Sequence, residues 1–318
     1  MNRIDDLGTW KIFCEIVKAE SLNRACDTLD IEPSSASRFI RDLEQKLGAP
    51  LFTRSGRTIQ LTDLGRQAYI KIQPILSLHQ EMVLELQGDR DKLTGLIRIA
   101  SHSGIGPAEI TPALVDFQKI YPDIQFELHE LSAPLPKGFT THDGTLCDVV
   151  IGYGDQTPMP NVIMRYSGEM PFIPCASALY LKKHGYLRHP QDCIKHTGIL
   201  INTPTRTSTK MLLRGTASVE LQWKNSLIMH NLSSVKSALV LGAGVVPDMP
   251  LYHCQNELEN KTVIPVLDGW HRQSASCYVF ARDEAYNKRR VQVFVDWIAE
   301  RERQFFESLR QRFPQFFL

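Results

Sequence analysis

Residues 21–48 read SLNRACDTLDIEPSSASRFIRDLEQKLG, two short amphipathic patterns separated by a break at DIEP, residues 30–33. Leu22, Ala25, Cys26 and Leu29 fall at i, i+3, i+4 and i+7, and Ser21 before them is an N-cap, so a helix with one apolar face is predicted. Pro33 suits the first turn of the next helix, where its missing amide hydrogen costs nothing. There Ala36, Phe39, Ile40, Leu43 and Leu47 project to one side, and Gly48 supplies a stop. Ser34, Arg38, Arg41 and Gln45 share the opposite face, with Ser35 and Ser37 beside them. Two short helices at a tight corner, the second lined with hydrogen-bond donors, describe a helix-turn-helix whose second helix enters the major groove. The competing reading is a merely solvated polar face, and periodicity alone does not separate the two.

The flanks favour DNA. Upstream, Leu7, Trp10, Cys14 and Val17 predict a first helix with one buried face. Downstream, PLFTRSGRTIQLT, residues 50–62, holds two β-compatible runs around Ser55–Gly56 and sets Arg54 and Arg57 on either side of the tip. A basic hairpin beside a helix-turn-helix is a wing, suited to phosphate or minor-groove contact. Between Pro33 and Thr62 the chain carries Arg38, Arg41, Lys46, Arg54 and Arg57 against only Asp42 and Glu44. That local footprint matters because the net charge of the whole chain is only +1.

At this point the residues resemble the winged helix-turn-helix of LysR-type transcriptional regulators. Ser21, Ala25, Leu29, Ser37, Leu43–Glu44, Leu47–Gly48, Leu51–Phe52, Arg54, Arg57, Leu61–Thr62 and Gly65 follow the family's order and spacing. The match covers about the first 65 residues. Cys26 stands where the family usually has a second alanine, and Glu32–Pro33 stands where it often has Ser-Gln, so a base contact made there by glutamine does not carry over.

Beyond the wing, residues 65–88 contain no glycine between Gly65 and Gly88. Ala68, Ile72, Ile75, His79, Met82 and Leu86 step by three and four, the seam pattern of a coiled coil, which predicts pairing with a second copy. Pro74 inside the run predicts a kink near residues 70–74. The polar stretch GDRDKLTG, residues 88–95, reads as a linker. From residue 95 strand and helix patterns alternate: strands near 95–101, 124–131, 148–154, 198–203, 226–231 and 277–282, and helices near 107–121, 177–184, 233–242 and 288–309. Alternation of this kind argues for α/β architecture with mostly parallel sheet.

The resemblance makes the plan more specific. It implies an all-α/winged N-terminal module at 1–62, a linker or dimerisation helix and hinge at 63–94, and a two-lobed effector-binding domain at 95–318. That domain is similar to periplasmic solute-binding proteins, with lobe I at about 95–161 and 268–318 and lobe II at about 162–267. The chain would cross between lobes near 160–166 and 264–272. In open α/β sheets ligands sit at the carboxyl ends of strands. Ser101, His102 and Ser103 after the first strand, and Thr203 and Thr205 after a later one, are therefore the leading pocket walls, with His230 and Val245 secondary. Such hydroxyl-rich loops suggest a polar or anionic ligand, although serine and threonine are also ordinary turn formers.

Rival chemistry finds less support. His189, Cys193 and His196 lie close in sequence but lack a fourth ligand at a recognisable spacing, so no metal is expected. The chain has 7 cysteines, an odd number without a CxxC pair, which fits reduced, buried thiols in the cytoplasm. No GxSxG, P-loop or HExxH motif occurs, so neither an enzyme nor a cofactor is expected. No apolar run is long enough for a membrane helix, and the N-terminus does not read as a secretory signal. The resemblance implies a homodimer or homotetramer binding double-stranded DNA and a small-molecule effector, and working with RNA polymerase. The alternative is a solute-binding or catalytic α/β protein whose N-terminal helices serve assembly.

Overall fold

The computed structural model describes residues 4–55, 58–86, 92–102, 110–131, 133–153 and 157–317. The chain divides into two compact units, residues 1–90 with 140–146, and residues 91–139 with 147–318.

In the first unit, α1 (Leu7–Ala19) starts at Asp6, whose carboxylate accepts from the Gly8 amide at 3.0 Å and the Thr9 hydroxyl at 2.8 Å. Helix α2 (Leu22–Leu29) is capped by Ser21, and α3 (Pro33–Leu47) begins on Pro33 and ends at Gly48 with φ of 71°. The corner between them closes through Asp30 in the left-handed region at φ of 51°. Phe13, Ile16, Ala25, Cys26, Ala36, Ile40, Leu43 and Leu51 form its core. Strands β1 (Phe52–Ser55) and β2 (Thr58–Leu61) pair antiparallel, with Ser55 opposite Thr58. Glu44 of α3 accepts from the amides of Leu51 at 2.7 Å and Phe52 at 3.2 Å, which ties the wing to the helix before it.

Helix α4 (Asp63–Leu86) runs unbroken through Pro74. Its first turn lies so close to the wing that a Cβ on Gly65 would sit 2.1 Å from the Leu51 carbonyl oxygen, so glycine is required there. The seam read from the sequence needs correction. Ile72 is buried in the core of α1–α3 and Ala68 packs against it, so neither is available to a second copy. Among the described side chains after Pro74, the exposed apolar ones are instead Ile75, Leu78 and Met82, about half exposed each, with His79 exposed beside them. The Leu86 side chain lies outside the described residues.

Among the described residues the second unit is built on one sheet of 9 strands in the order β10-β7-β11-β6-β13-β5-β3-β4, with β12 also on β6. The strands are β3 (Gly95–Ser101), β4 (Ile124–Glu130), β5 (Val149–Tyr153), β6 (Val162–Ser177), β7 (Thr197–Ile201), β10 (Asn225–Met229), β11 (Val245–Pro250), β12 (Val263–Pro265) and β13 (Arg272–Arg282). A separate hairpin joins β8 (Met211–Arg214) to β9 (Ala217–Glu220). Helices α5 (Thr111–Ile120), α6 (Ala178–His184), α7 (Leu232–Val240), α8 (Leu251–Glu259), α9 (Asp283–Tyr286) and α10 (Arg289–Arg312) cover it.

The expectation of mostly parallel sheet holds only in the outer arms. Strands β4, β3 and β5 run parallel, as do β10, β7 and β11, but β6 pairs antiparallel with β13 and β11, and β13 antiparallel with β5. The centre is antiparallel because β6 carries the chain from one arm to the other and β13 carries it back. The handover falls near Phe172 and Arg272, where β6 passes from β13 to β11, several residues later than the sequence suggested for the first crossing. Strand β6 had no legible signature. Its second half is buried on both faces, which removes alternation, and it contains Gly168, Pro171 and Pro174. The fully buried β11 was missed for the same reason.

Candidate nucleic-acid interface and ligand cleft

Helix α3 sorts its side chains as its periodicity requires. Ala36, Ile40 and Leu43 are buried, whereas Ser34, Arg38, Arg41 and Gln45 are all exposed on the other side. Ser35 and Ser37 are half-buried. Among the described residues neither Arg38 nor Arg41 forms an ion pair; Arg38 lies over the Phe39 ring at 5.6 Å. Glu32 provides no side-chain cap to α3, whose first residue, Pro33, has no amide hydrogen to satisfy. Arg54 stands in β1, with its side chain outside the described residues, and Arg57 lies wholly outside them.

In the second unit, the carboxyl ends of β3 and β5 in one arm face those of β7 and β10 in the other across a cleft. Two adjoining cavities of about 140 and 420 Å³ share His102, Leu131, Tyr153 and Thr205 as walls. Thr203, Arg206 and His230 line the smaller one. Thr203 and Arg206 close a tight turn through backbone hydrogen bonds of 2.8 and 3.2 Å, and the two threonine hydroxyls lie 3.3 Å apart. The His230 ring holds the same loop through the Asn202 carbonyl.

Four expected pocket residues, His102, Thr203, Thr205 and His230, therefore meet in one cleft. Ser101 is buried at the end of β3 and is not among the lining residues, and Ser103 lies outside the described residues. Val245 is a correction: it is fully buried in β11, opposite Ala176 in the hydrophobic core. Valine inside a central strand has no route to the cleft.

The sequence reading missed the cleft's main charge. Arg206 is 5% exposed, and its guanidinium donates to Asp248 Oδ2 at 2.6 Å and to the Asp248 carbonyl at 2.5 Å. Asp248 also accepts from Thr209 at 2.6 Å and Arg272 at 3.1 Å. Both guanidinium groups lie over the Phe172 ring, at 4.8 and 4.7 Å. Two permanent cations thus surround one carboxylate, and among the described residues the buried Nε of Arg206 has no hydrogen-bond partner. His102 stacks on Tyr153 with centroids 4.1 Å apart. Burial, with the Arg206 charge added, pulls His102 down to about 4, and burial beside Lys236 and Arg206 pulls His253 down to about 3. Both imidazoles stay neutral at pH 7, leaving the guanidinium groups as the positive charge of this region.

His189, Cys193 and His196 have structural partners. The His189 ring accepts from the Gln191 amide at 3.3 Å, Cys193 is buried in a hydrophobic core, and His196 meets the Tyr180 hydroxyl at 3.2 Å. All 7 cysteines are free and buried. Burial lifts Cys14, Cys147 and Cys193 to about 12, so these thiols are poor nucleophiles at neutral pH. No helix among the described residues is long and apolar enough to cross a membrane.

A winged helix-turn-helix followed by a two-armed α/β unit with a ligand cleft is the plan of a ligand-responsive DNA-binding regulator. Residues 7–66 match the family described as bacterial regulatory helix-turn-helix protein, lysR family, and residues 90–303 match the LysR substrate binding domain. The chain belongs to the LysR family: it is a DNA-binding transcriptional regulator with an effector-binding domain, not an enzyme. Regulators of this family bind DNA and small-molecule effectors and form oligomers. The chain is 29% identical over 93% of its length to an uncharacterised HTH-type transcriptional regulator of Escherichia coli K12, YhjC, and spans 97% of that protein. It is 27% identical to an HTH-type transcriptional repressor of Pseudomonas aeruginosa UCBPP-PA14, covering 93% of this chain and 92% of the repressor. In fold it is similar to the full-length virulence activator AphB of Vibrio cholerae, with a TM-score of 0.63 and 24% identity over 92% of this chain and 98% of AphB.

Proposed function

We propose that this regulator acts in the cytoplasm as a homodimer or homotetramer and reads paired half-sites in double-stranded DNA. Its three working parts are the reader at residues 1–62, the linker helix and hinge at 63–94, and the effector-binding domain at 95–318. Ser34, Arg38, Arg41 and Gln45 enter the major groove, with Ser35 and Ser37 on the flank, while Arg54 and Arg57 of the wing hold phosphate or the minor groove. The shared exposure of the first four, over a helix whose other side is core, supports this reading. Ile75, Leu78 and Met82 of α4 form the seam between copies, with His79 and Leu86 beside them. Contact with RNA polymerase at the regulated promoters completes the scheme.

The effector is a small anion or polar molecule taken into the cleft by His102, Thr203, Thr205 and His230. What favours an anion is the excess positive charge of Arg206 and Arg272 around Asp248; the Glu130 carboxylate on the same wall is exposed and screened by water. A ligand carboxylate would find hydroxyl donors and a guanidinium close by, with little water competing for either.

Sequencing the genomic fragments that co-purify with the protein, with and without Arg38→Ala, tests the first part. A compact set of sites lost in the variant is expected; no enrichment over random DNA would reject it. Thermal shift against a panel of small carboxylates tests the second. The expected shift disappears in Thr203→Ala and Thr205→Ala, and shifts that survive both changes would reject the assigned cleft.

A further inference from the structure

Behind the effector cleft lies a second cavity, of about 280 Å³, that neither the DNA reader nor the proposed effector site uses. Tyr153, Met170 and Tyr252 line both spaces, so one layer of side chains separates them. Its far side is α10, which contributes Ile298, Phe305 and Phe306. Phe306 comes close because residue 168 is glycine: a Cβ there would stand 2.5 Å from the phenyl ring. Pro112 and Ala113 of α5 and Cys277 of β13 complete a mainly apolar lining.

We infer that this cavity is a second ligand site, for a neutral single-ring aromatic molecule carrying one hydroxyl. Size is the first reason. An apolar cavity of about 150 Å³ is enough to bind benzene, and this one has nearly twice that space. Phe305 and Phe306, with ring centroids 5.7 Å apart and steeply inclined, offer edges and faces to a ring. Charge decides against an anion. Arg301 is the one cation on the described lining, and its guanidinium already meets Asp116 at 2.9 Å and lies over Trp297 at 5.4 Å. Glu302 on the same wall repels a carboxylate. Gln255, whose Oε1 accepts from Arg312 at 2.8 Å and whose NH2 donates to the Tyr252 carbonyl at 3.3 Å, keeps a second N–H and a second lone pair for a ligand hydroxyl. The two cavities thus select opposite chemistries, anion in front and neutral ring behind.

The test is ¹⁹F NMR titration of the full-length protein with 4-fluorophenol and, separately, 4-fluorobenzoate. Saturable binding of the phenol is expected, with Kd on the order of 0.1–1 mM for a ligand of this size. Ile298→Trp, which fills the cavity, should weaken it at least about tenfold. Phe305→Ala, at a half-buried position on the edge of the core, should weaken it at least about threefold while leaving the far-UV circular dichroism spectrum native. Thr205→Ala, in the front cleft, should leave it unchanged. The benzoate should not compete. No saturable phenol binding, binding indifferent to both cavity variants, or equal competition by the benzoate would overturn the proposal. Loss of phenol binding in Thr205→Ala would place the ring in the effector cleft and overturn it as well, while saying nothing against the anion reading of that cleft.

Discussion

Asp248→Asn removes one negative charge and changes almost nothing in shape. Asp248 and Arg206 have side chains 1% and 4% exposed, so water can replace little of what is lost. The carboxylate oxygen Oδ2 receives donors from Arg206, Thr209 and Arg272 at 2.6, 2.6 and 3.1 Å. An amide can accept from only part of that set, and its own NH2 would face donors. Breaking a buried pair by neutralising one partner costs about 3–5 kcal/mol, because the surviving cation stays buried without compensation. For a unit of this size each kcal/mol is about 2–4 °C in Tm, so the melting transition of the effector-binding unit should fall by about 6–20 °C. The assay is differential scanning calorimetry at pH 7, where that unit's transition is followed directly. Arg206→Met alone should also destabilise, by leaving Asp248 less well paired, yet combined with Asp248→Asn it should recover part of the loss. A favourable coupling of about 1–3 kcal/mol in this double-mutant cycle is the signature of a direct interaction. A Tm drop under about 2 °C, or strictly additive single changes, would refute the reading of Arg206 and Asp248 as a buried, directly interacting ion pair.

Other expectations follow from the same geometry. Arg38→Ala should lower affinity for the specific site by about 1–3 kcal/mol, whereas Arg57→Ala should weaken specific and random DNA alike and reduce the salt slope by about one; equal effects of the two changes in fluorescence anisotropy would refute that division. Leu78→Glu should lower self-association without changing the stability of the helix-turn-helix, because Leu78 is 50% exposed; sedimentation equilibrium that shows unchanged stoichiometry would remove α4 as the seam. His102 and His253 have folded-state values near 4 and 3, well below the ordinary 6.5 of the unfolded chain. The unfolded state therefore binds protons first as pH falls, so stability is full above about pH 6.5 and declines towards pH 4. Each histidine contributes a loss of about 2 kcal/mol by pH 5, and urea midpoints that stay level from pH 7 to 5 in the wild type would contradict the neutral, buried state assigned to these rings.

The first 65 residues show how much local chemistry can specify. Ser21, Pro33 and Gly48 mark helix ends by capping and backbone rules that operate within a few residues. The 3.6 periodicity of Ala36, Ile40 and Leu43 determined which face of α3 is buried and therefore that Ser34, Arg38, Arg41 and Gln45 are exposed. The same rules placed α5, α6, α7 and α10 and strands β3, β4, β5, β7 and β10 within a few residues, but not the hairpin of β8 and β9. Likewise His102, Thr203, Thr205 and His230 could be chosen because strand ends followed by polar loops are a local signal.

What only the tertiary structure decided involves partners far apart in the chain. Ile72 and Leu78 lie on one helix with the same apolar character, and only the packing of α1–α3 against α4 shows that the first is core and the second is open. Strands β6 and β11 are buried on both faces, so the alternation that would announce them is absent, and Val245 could be mistaken for a pocket residue. The charge of the cleft comes from Arg206, Asp248 and Arg272, which stand 42 and 24 residues apart along the chain. No spacing rule joins them. They meet because β11 and the start of β13 are both packed against Phe172, in an interior where an unmatched charge is costly enough to force them together.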